Sequence, residues 1–311
     1  MPHAKKSSNS LLSIDDLSNK DIQHILDLAQ QIEKKPHKFA DYAKGKILSL
    51  LFFEPSTRTY FSFASAIQRL GGSVIGFPNA ETTSIAKGES LEDTARMMSS
   101  YSDIMAVRSG VMGSMQRMSQ AIHIPLINAG EGQGEHPTQA LTDLYTIRQS
   151  CKKLNVTIAF YGDLKFGRTN HSLIKAIARF GAKIICIAPP ELQMPKDYVA
   201  LARKAGAEVI LDKDIKKYVK DIDVLYVSRL QKERLPARLN YAVLKKAMNV
   251  DLKLVTALKS SAIVMHPLPR VDEIAVSVDT DKRAKYFQQA ANAVPVRMAI
   301  LLLKMGYAFP I

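Results

Sequence analysis

The 311-residue sequence is poor in cysteine and contains only Cys151 and Cys186. Neither of them has a second Cys or a His at the spacing of a metal site, and two cysteines cannot build a disulfide framework. The sequence therefore predicts no bound metal and no disulfide scaffold. Both cysteines are interpreted as packed or surface thiols.

Long apolar runs are also missing. Stretches such as Met298–Leu303 are far shorter than the roughly 18 residues that cross a bilayer. The N-terminal residues include lysines but no apolar signal core. These absences predict a cytoplasmic globular protein with no membrane partner. With 47% hydrophobic residues the chain can bury a sizeable core, and its length suggests two domains.

The glycines do not form a dinucleotide-binding fingerprint. Gly130–Gly134 has the wrong spacing, and the segment that follows the apolar run Val156–Gly162 has the wrong glycine count. A nicotinamide-dependent oxidoreductase is therefore disfavoured, and no cofactor is predicted. The second half of the chain is still compatible with a Rossmann-like topology, since topology alone does not imply nucleotide binding.

Acidic residues are too few in the second half of the chain to balance its basic residues. Residues 151–311 contain 28 Lys and Arg but 14 Asp and Glu, and they account for the whole net charge of +14. Zinc-finger, RNA-binding and basic amphipathic-helix motifs are absent, so a solvated basic surface is favoured over nucleic-acid binding. A positive field that attracts a small acidic substrate is the other interpretation that stays open.

Apolar strand-like runs alternate with helical patterns along the chain. This alternation predicts an α/β fold with two domains, each built on a parallel β-sheet flanked by helices. The predicted limits are residues 1–135 for the first domain and 136–289 for the second, with a last helix over about 290–311. The predicted strands are Ile47–Phe53, Ser73–Phe77, Asp103–Val107, Pro125–Asn128, Val156–Tyr161, Lys183–Ala188, Glu208–Leu211, Asp223–Val227 and Ala262–Met265.

A phosphate-binding segment is predicted where the first strand gives way to a helix. Ser56 is at the expected N-cap, and Arg58 follows within the first turn. Free N–H groups and the positive end of the helix dipole favour a bound anion there. An ordinary capped helix is the competing interpretation, but a cation in the first turn opposes the dipole unless an anion compensates it.

Two further motifs follow in order, His136–Gln139 and His266–Arg270. Together with Ser56–Thr59 they make the chain resemble the aspartate/ornithine carbamoyltransferase family, from about Leu17 to the C-terminus. The Leu268-Pro269 pair is similar to the aspartate branch of that family. The ornithine branch would need groups for a distal ammonium, and none is visible.

The resemblance implies transfer of the carbamoyl group of carbamoyl phosphate to the α-amino group of L-aspartate. The products would be N-carbamoyl-L-aspartate and phosphate, in de novo pyrimidine (UMP) biosynthesis. The first domain would bind carbamoyl phosphate and the second aspartate, while the C-terminal helix returns to the first domain. The family also implies a homotrimer with shared active sites, and the sequence leaves open whether a regulatory chain binds.

The resemblance also assigns roles to individual residues. Those with a catalytic role as donors to the carbonyl oxygen would be Thr59, Arg108 and His136. Carbamoyl phosphate would be bound by Ser56, Thr57, Arg58, Thr59, Arg108, His136, Gln139, Leu268 and Pro269. Aspartate would be bound by Lys87, Arg168, Arg229 and Gln231, and the residues supplied by a neighbouring subunit would be Ser84 and Lys87.

Several of these residues have an ordinary structural interpretation as well. His136 could be a packed histidine, and Arg168 alone could belong to a surface ion pair. Tyr60 departs from the family, which commonly has a second arginine there, and Pro295 is expected to kink or start the last helix. A transferase for another amine and a catalytically silent homologue remain the alternatives. The second is disfavoured because all three proposed carbonyl donors are present.

Overall fold

The structure is a computed structural model that describes residues 9–81, 83–231, 241, 244 and 248–309. The chain divides into two compact units, with limits between Leu141 and Thr142 and between Ala291 and Asn292. The residues before the first limit and after the second form one unit, and those between them form the other. Each unit contains one β-sheet, and all strands in both sheets are parallel. The predicted α/β fold is confirmed.

The first sheet has the order β2-β1-β3-β4. Near-continuous burial along its two central strands is typical of a parallel sheet that is covered on both faces. Leu11 forms an isolated parallel bridge with Ile127 at one edge. The strands are β1 (Ile47–Phe52), β2 (Ser73–Phe77), β3 (Ile104–Ser109) and β4 (Leu126–Glu131).

The first helix of this unit begins at a local capping signal. The hydroxyl of Ser18 accepts the Asp21 N–H, and the Asp21 carboxylate accepts the Ser18 N–H, which forms a capping box. The helices are α1 (Asn19–Lys34), α2 (Thr57–Arg69), α3 (Leu91–Ser99) and α4 (Ser114–Ala121). The next helix, α5 (Pro137–Cys151), contains the first limit between the units.

The second sheet has the order β7-β6-β5-β8-β9. Its strands are β5 (Thr157–Gly162), β6 (Lys183–Ile187), β7 (Val209–Asp212), β8 (Val224–Ser228) and β9 (Ile263–Met265). Its helices are α6 (Arg168–Ala178), α7 (Lys196–Lys204) and α8 (Leu252–Ala257), and the last helix of the chain is α9 (Tyr286–Lys304). From Asn292 onward α9 belongs to the first unit.

Strand order reverses once in each sheet. The chain winds from β1 to β2 on one side and then places β3 and β4 on the other, so the first switch point lies between β1 and β3. By the same pattern, the second lies between β5 and β8. Ligands of open α/β sheets bind outside the carboxyl ends of the strands at such points. The segments that follow β1, β3, β5 and β8 are therefore the candidate ligand-binding segments.

Backbone packing at the second switch point requires glycine. Gly162 ends β5 with φ of 120°, and a Cβ atom there would lie 2.2 Å from the carbonyl oxygen of Ser228 at the end of β8. Only glycine allows both the conformation and the contact. The two strand ends are thus held against each other where the loops leave the sheet.

Candidate active site

The start of α2 has the features of an anion site. Ser56 occupies the N-cap position, as predicted, but its hydroxyl makes no capping hydrogen bond. The first backbone bond of the helix runs from the Tyr60 N–H to the Ser56 carbonyl, at 3.1 Å. The N–H groups of the first turn therefore point out of the helix end, as in other anion-binding termini. Thr57 is exposed and Thr59 is buried beside them.

Arg58 adds a cation to this helix end. Among the described residues, no hydrogen bond or ion pair involves its guanidinium. Its side chain is exposed, yet the surrounding protein removes part of its hydration, and this desolvation lowers the pKa of Arg58. A cation that is partly desolvated beside the positive end of a helix is favourable only with an anion nearby.

Arg108 lies on the other side of the first switch point. It is on β3 next to Phe52 of β1, and its carbonyl accepts the Phe53 N–H at 2.9 Å. Its guanidinium Nη2 is 2.7 Å from Oε1 of Glu54, in the loop after β1. Neighbouring strand ends thus place a second arginine beside the loop that leads into α2.

His136 directly precedes α5, the helix that follows β4. Its carbonyl accepts the N–H groups of Gln139 and Ala140, at 3.0 and 3.2 Å. The side chain is buried, and its Nδ1 lies 3.5 Å from the Thr138 hydroxyl, while Gln139 is half-buried. The carboxylate of Glu135 accepts hydrogen bonds from the hydroxyl of Ser13 and the N–H of Ile14, which ties the preceding loop to the N-terminal segment.

Ser84 and Lys87 are the ends of a short 3₁₀ helix after β2, the edge strand of the first sheet. The Thr83 hydroxyl caps this helix, and Gly88 ends it in the left-handed conformation. Both residues are exposed. Among the described residues, neither the Ser84 hydroxyl nor the Lys87 ammonium has a hydrogen-bond partner. They follow β2 rather than β1 or β3, the two strands that flank the switch point of this unit.

The second switch point carries three of the four residues predicted for aspartate. Arg168 is the first residue of α6, in the segment after β5, and Arg229 and Gln231 directly follow β8. All three are half-buried. The two arginines therefore extend from segments that follow adjacent strands of one sheet.

A hydrogen-bond network joins the two loops that carry these arginines. The Asp163 carboxylate accepts the N–H groups of Lys165 and Phe166 through Oδ1, and lies 3.4 Å from the Gln231 N–H through Oδ2. The Ser228 hydroxyl donates to Oδ1 of Asn170 at 2.6 Å. The spacing of the two loops is therefore set by side chains that are buried beneath them.

Leu268 and Pro269 lie in the loop after β9, the neighbour of β8. The peptide bond between them is cis, and Leu268 has a positive φ of 55°. The Leu268 N–H donates to Nδ1 of His266 at 2.8 Å. Its carbonyl takes no part in that hydrogen bond.

Tyr60, which departs from the family pattern, has an aromatic partner. Its ring packs edge-on against Phe52, with 5.2 Å between ring centroids. Pro295 lies inside α9 rather than at its start.

In the described part of the chain, no group of three or more His, Cys, Asp or Glu side chains could hold a metal ion. None of the helices in this part of the chain is long and apolar enough to span a bilayer.

Comparison with known proteins identifies the family. Residues 9–149 match the aspartate/ornithine carbamoyltransferase carbamoyl-P binding domain, and residues 154–304 match the Asp/Orn binding domain of the same family. The chain belongs to the aspartate/ornithine carbamoyltransferase family. The resemblance seen in the three motifs is therefore confirmed.

Relatives of this carbamoyltransferase match it over nearly their full length. It is 46% identical to the aspartate carbamoyltransferase catalytic subunit of Thermococcus kodakarensis, over 95% of this chain and 96% of the other. It is 48% identical to that of Finegoldia magna, over 96% and 98%. The crystal structure of Trypanosoma cruzi aspartate transcarbamoylase in complex with carbamoyl phosphate and aspartate superposes with a TM-score of 0.88, at 38% identity, covering 97% and 98%.

Sequence reasoning missed several polar residues around the carbamoyltransferase site. Glu54 had a visible signal, since it lies two residues before the phosphate motif and carries the opposite charge to Arg108. Asp163 follows a buried strand, which is another recognisable position for a functional carboxylate. The roles of Glu135 and Glu273 had no signal, because their partners are distant in sequence or depend on loop geometry.

Proposed function

We propose that this chain transfers the carbamoyl group of carbamoyl phosphate to the α-amino group of L-aspartate. The products are N-carbamoyl-L-aspartate and phosphate, and the reaction serves de novo pyrimidine (UMP) biosynthesis. The observation that carries the proposal is the grouping of anion-binding residues at both switch points. The first has a free helix end with Arg58, and the second has Arg168 and Arg229 on adjacent strand ends.

The first unit would bind carbamoyl phosphate. Ser56, Thr57, Arg58 and the N–H groups of α2 hold its phosphate, which becomes the leaving group. Charge develops on the carbonyl oxygen when the amine attacks, and donors aimed at that oxygen stabilise it. Thr59, Arg108 and His136 take that role, and no covalent nucleophile is needed.

The second unit would bind aspartate. A planar guanidinium pairs with both oxygens of a carboxylate, and aspartate has two carboxylates. Arg168 binds the α-carboxylate, and Arg229 with Gln231 binds the side-chain carboxylate. Gln139 and the carbonyls of Leu268 and Pro269 orient the carbamoyl amino group and the incoming amine.

Exposed Ser84 and Lys87 fit a role outside their own subunit. We propose a homotrimer in which they complete a neighbouring site, with Lys87 contacting phosphate and carboxylate there. A flexible point charge on a surface loop suits such closure, which also excludes water. Analytical ultracentrifugation of the purified chain tests this assembly, because a monomer at working concentration would exclude shared sites.

A phosphate-release assay tests the function. Purified chain is given carbamoyl phosphate with L-aspartate, L-ornithine or other amino acids, and Arg58→Ala serves as the inactive control. Of these acceptors, only aspartate should support the release of phosphate from carbamoyl phosphate. Phosphate release with ornithine instead would show that the chain carbamoylates another amine. No phosphate release with any acceptor would indicate a catalytically silent homologue.

A further inference from the structure

The backbone of Leu268 needs support that its own residue type does not provide. Its φ of 55° lies in the left-handed region, which residues other than glycine rarely adopt. Such a conformation persists only when its surroundings hold it in place. This residue presents one of the carbonyls proposed to orient the carbamoyl group.

His266 supplies the support through one defined tautomer. The Leu268 N–H donates to Nδ1 at 2.8 Å, so Nδ1 must carry no proton. Nε2 lies 2.7 Å from Oε1 of Glu273, and a carboxylate only accepts hydrogen bonds, so Nε2 carries the proton. Both contacts therefore require the same neutral form of the imidazole.

Glu273 holds the loop from its other side. Its second oxygen accepts the N–H groups of Val271 and Asp272, both at 3.1 Å. Burial raises the pKa of Glu273, but hydrogen bonds from His266 and from the backbone outweigh it and lower the value to about 2. The carboxylate is therefore ionised and remains an acceptor for both the imidazole and the backbone.

The histidine is in turn fixed from the interior of the unit. Its backbone N–H donates to Oε1 of Gln289 on α9, at 2.8 Å, and Gln289 donates to Asp143 on α5 at 2.7 Å. The Asp143 carboxylate also accepts the Tyr226 hydroxyl at 2.8 Å. The side chains of His266 and Glu273 are only 1% and 7% exposed, and their polar atoms are engaged with each other and with the loop backbone.

We propose that His266 and Glu273 are a positioning pair, which fixes the Leu268 backbone so that its carbonyl is aligned for the carbamoyl amino group. This inference rests on the proposed function of the chain. It predicts that the pair affects the carbamoyl end of the substrate and leaves the phosphate end alone, because the proposed phosphate ligands are on the first unit.

Two histidine variants separate positioning from simple packing. In His266→Asn the amide oxygen can stand in for Nδ1 as the acceptor of the Leu268 N–H, whereas His266→Leu has no acceptor. Calorimetry measures binding of carbamoyl phosphate and of inorganic phosphate to each. His266→Leu should bind carbamoyl phosphate about three- to tenfold more weakly, the loss of one aligned hydrogen bond, and His266→Asn should bind it nearly normally. Phosphate binding should change in neither.

Glu273→Gln provides an independent variant that does not alter the histidine. It should weaken carbamoyl phosphate binding and lower kcat in the same proportion, with phosphate binding retained. Asp223→Asn is the matched control, since Asp223 also accepts a backbone N–H and pairs with a lysine, but at the opposite end of β8. It should leave both affinities unchanged.

Nitrogen NMR on histidine-labelled protein reads the tautomer directly, with His266→Asn identifying the signal. Protonation on Nε2 alone supports the pair, and protonation on Nδ1 or on both nitrogens overturns it. Normal carbamoyl phosphate binding by His266→Leu or Glu273→Gln also overturns it, as does equal weakening of phosphate. If the unaltered chain binds no carbamoyl phosphate, the proposed function itself fails.

Discussion

Glu54 and Arg108 form an ion pair across the first switch point, with 2.7 Å between Oε1 and Nη2. Their side chains are 29% and 12% exposed, so the contact is partly sheltered from water. Arg108 is one of the three residues proposed to meet the carbonyl oxygen. In this structure one nitrogen of the guanidinium is thus bonded to a protein carboxylate, and a substrate that binds the same nitrogen must compete with Glu54.

Glu54→Gln tests that competition. Removing the carboxylate charge should strengthen carbamoyl phosphate binding by up to about tenfold, because a charged hydrogen bond no longer holds Arg108. Calorimetry provides the measurement, and Glu92→Gln provides the control because Glu92 pairs with Arg117 away from the switch point. Weaker binding would show that Glu54 orients Arg108 for the ligand rather than competing with it.

Arg108 and His136 are expected to act on charge that develops only in the transition state. Replacing either with Ala should lower kcat by about 10²–10³, while the protein keeps its fold. Steady-state kinetics measures kcat, and circular dichroism checks that each variant is folded. If a variant keeps a near-normal kcat, the replaced residue is not a donor to the carbonyl oxygen.

Sequence patterns predicted the strands well because each is an apolar run between polar or glycine-rich segments. The strand predicted over Lys183–Ala188, for example, is Lys183–Ile187 in the structure. The parallel order then brought Arg168 and Arg229 to adjacent strand ends, since carboxyl ends of parallel strands share one edge.

The polar contacts that support the site were beyond sequence reasoning. Gln289 and Asp143 are 146 residues apart, and nothing in either local pattern indicates that they meet. Glu54 and Arg108 are 54 residues apart and needed the pairing of β1 with β3 to become neighbours. Such pairs depend on register and on side-chain packing, which a periodic pattern does not specify.

Glu273 should contribute to acid sensitivity. Its folded pKa is about 2, below the ordinary value near 4.3, so its contribution to stability is complete above the ordinary value and is lost as pH falls towards 2. Glu273→Gln should therefore be less stable than the unaltered chain at pH 7, and the gap should narrow between about pH 5 and 2. Thermal unfolding midpoints across that range measure the gap. A gap that is constant with pH would mean that the carboxylate is not preferentially ionised in the folded state.

Lys87 offers a test of shared sites by complementation. Chains with Lys87→Ala and chains with Arg58→Ala should each be inactive. Mixed under conditions of subunit exchange, they should regain activity, since some hybrid trimers would contain one site with both residues intact. Labelled chains verify that exchange has occurred. If hybrids form and activity does not return, each site is made within one chain.

Arg229 should separate the binding of the two substrates. Its proposed partner is the side-chain carboxylate of aspartate, so Arg229→Ala should lower kcat/KM for aspartate. The corresponding activation free energy should rise by about 2–5 kcal/mol. Carbamoyl phosphate affinity should barely change, because its proposed phosphate ligands are on the first unit.

Calorimetry with carbamoyl phosphate and steady-state kinetics with aspartate measure the two effects in one variant. Arg203→Ala is a useful control, because that arginine donates to the carbonyl of Val209, the first residue of β7, and is remote from the switch point. It should alter neither substrate. If Arg229→Ala weakens both substrates equally, Arg229 supports the fold or the phosphate, and the assignment of aspartate to the second unit loses its main residue.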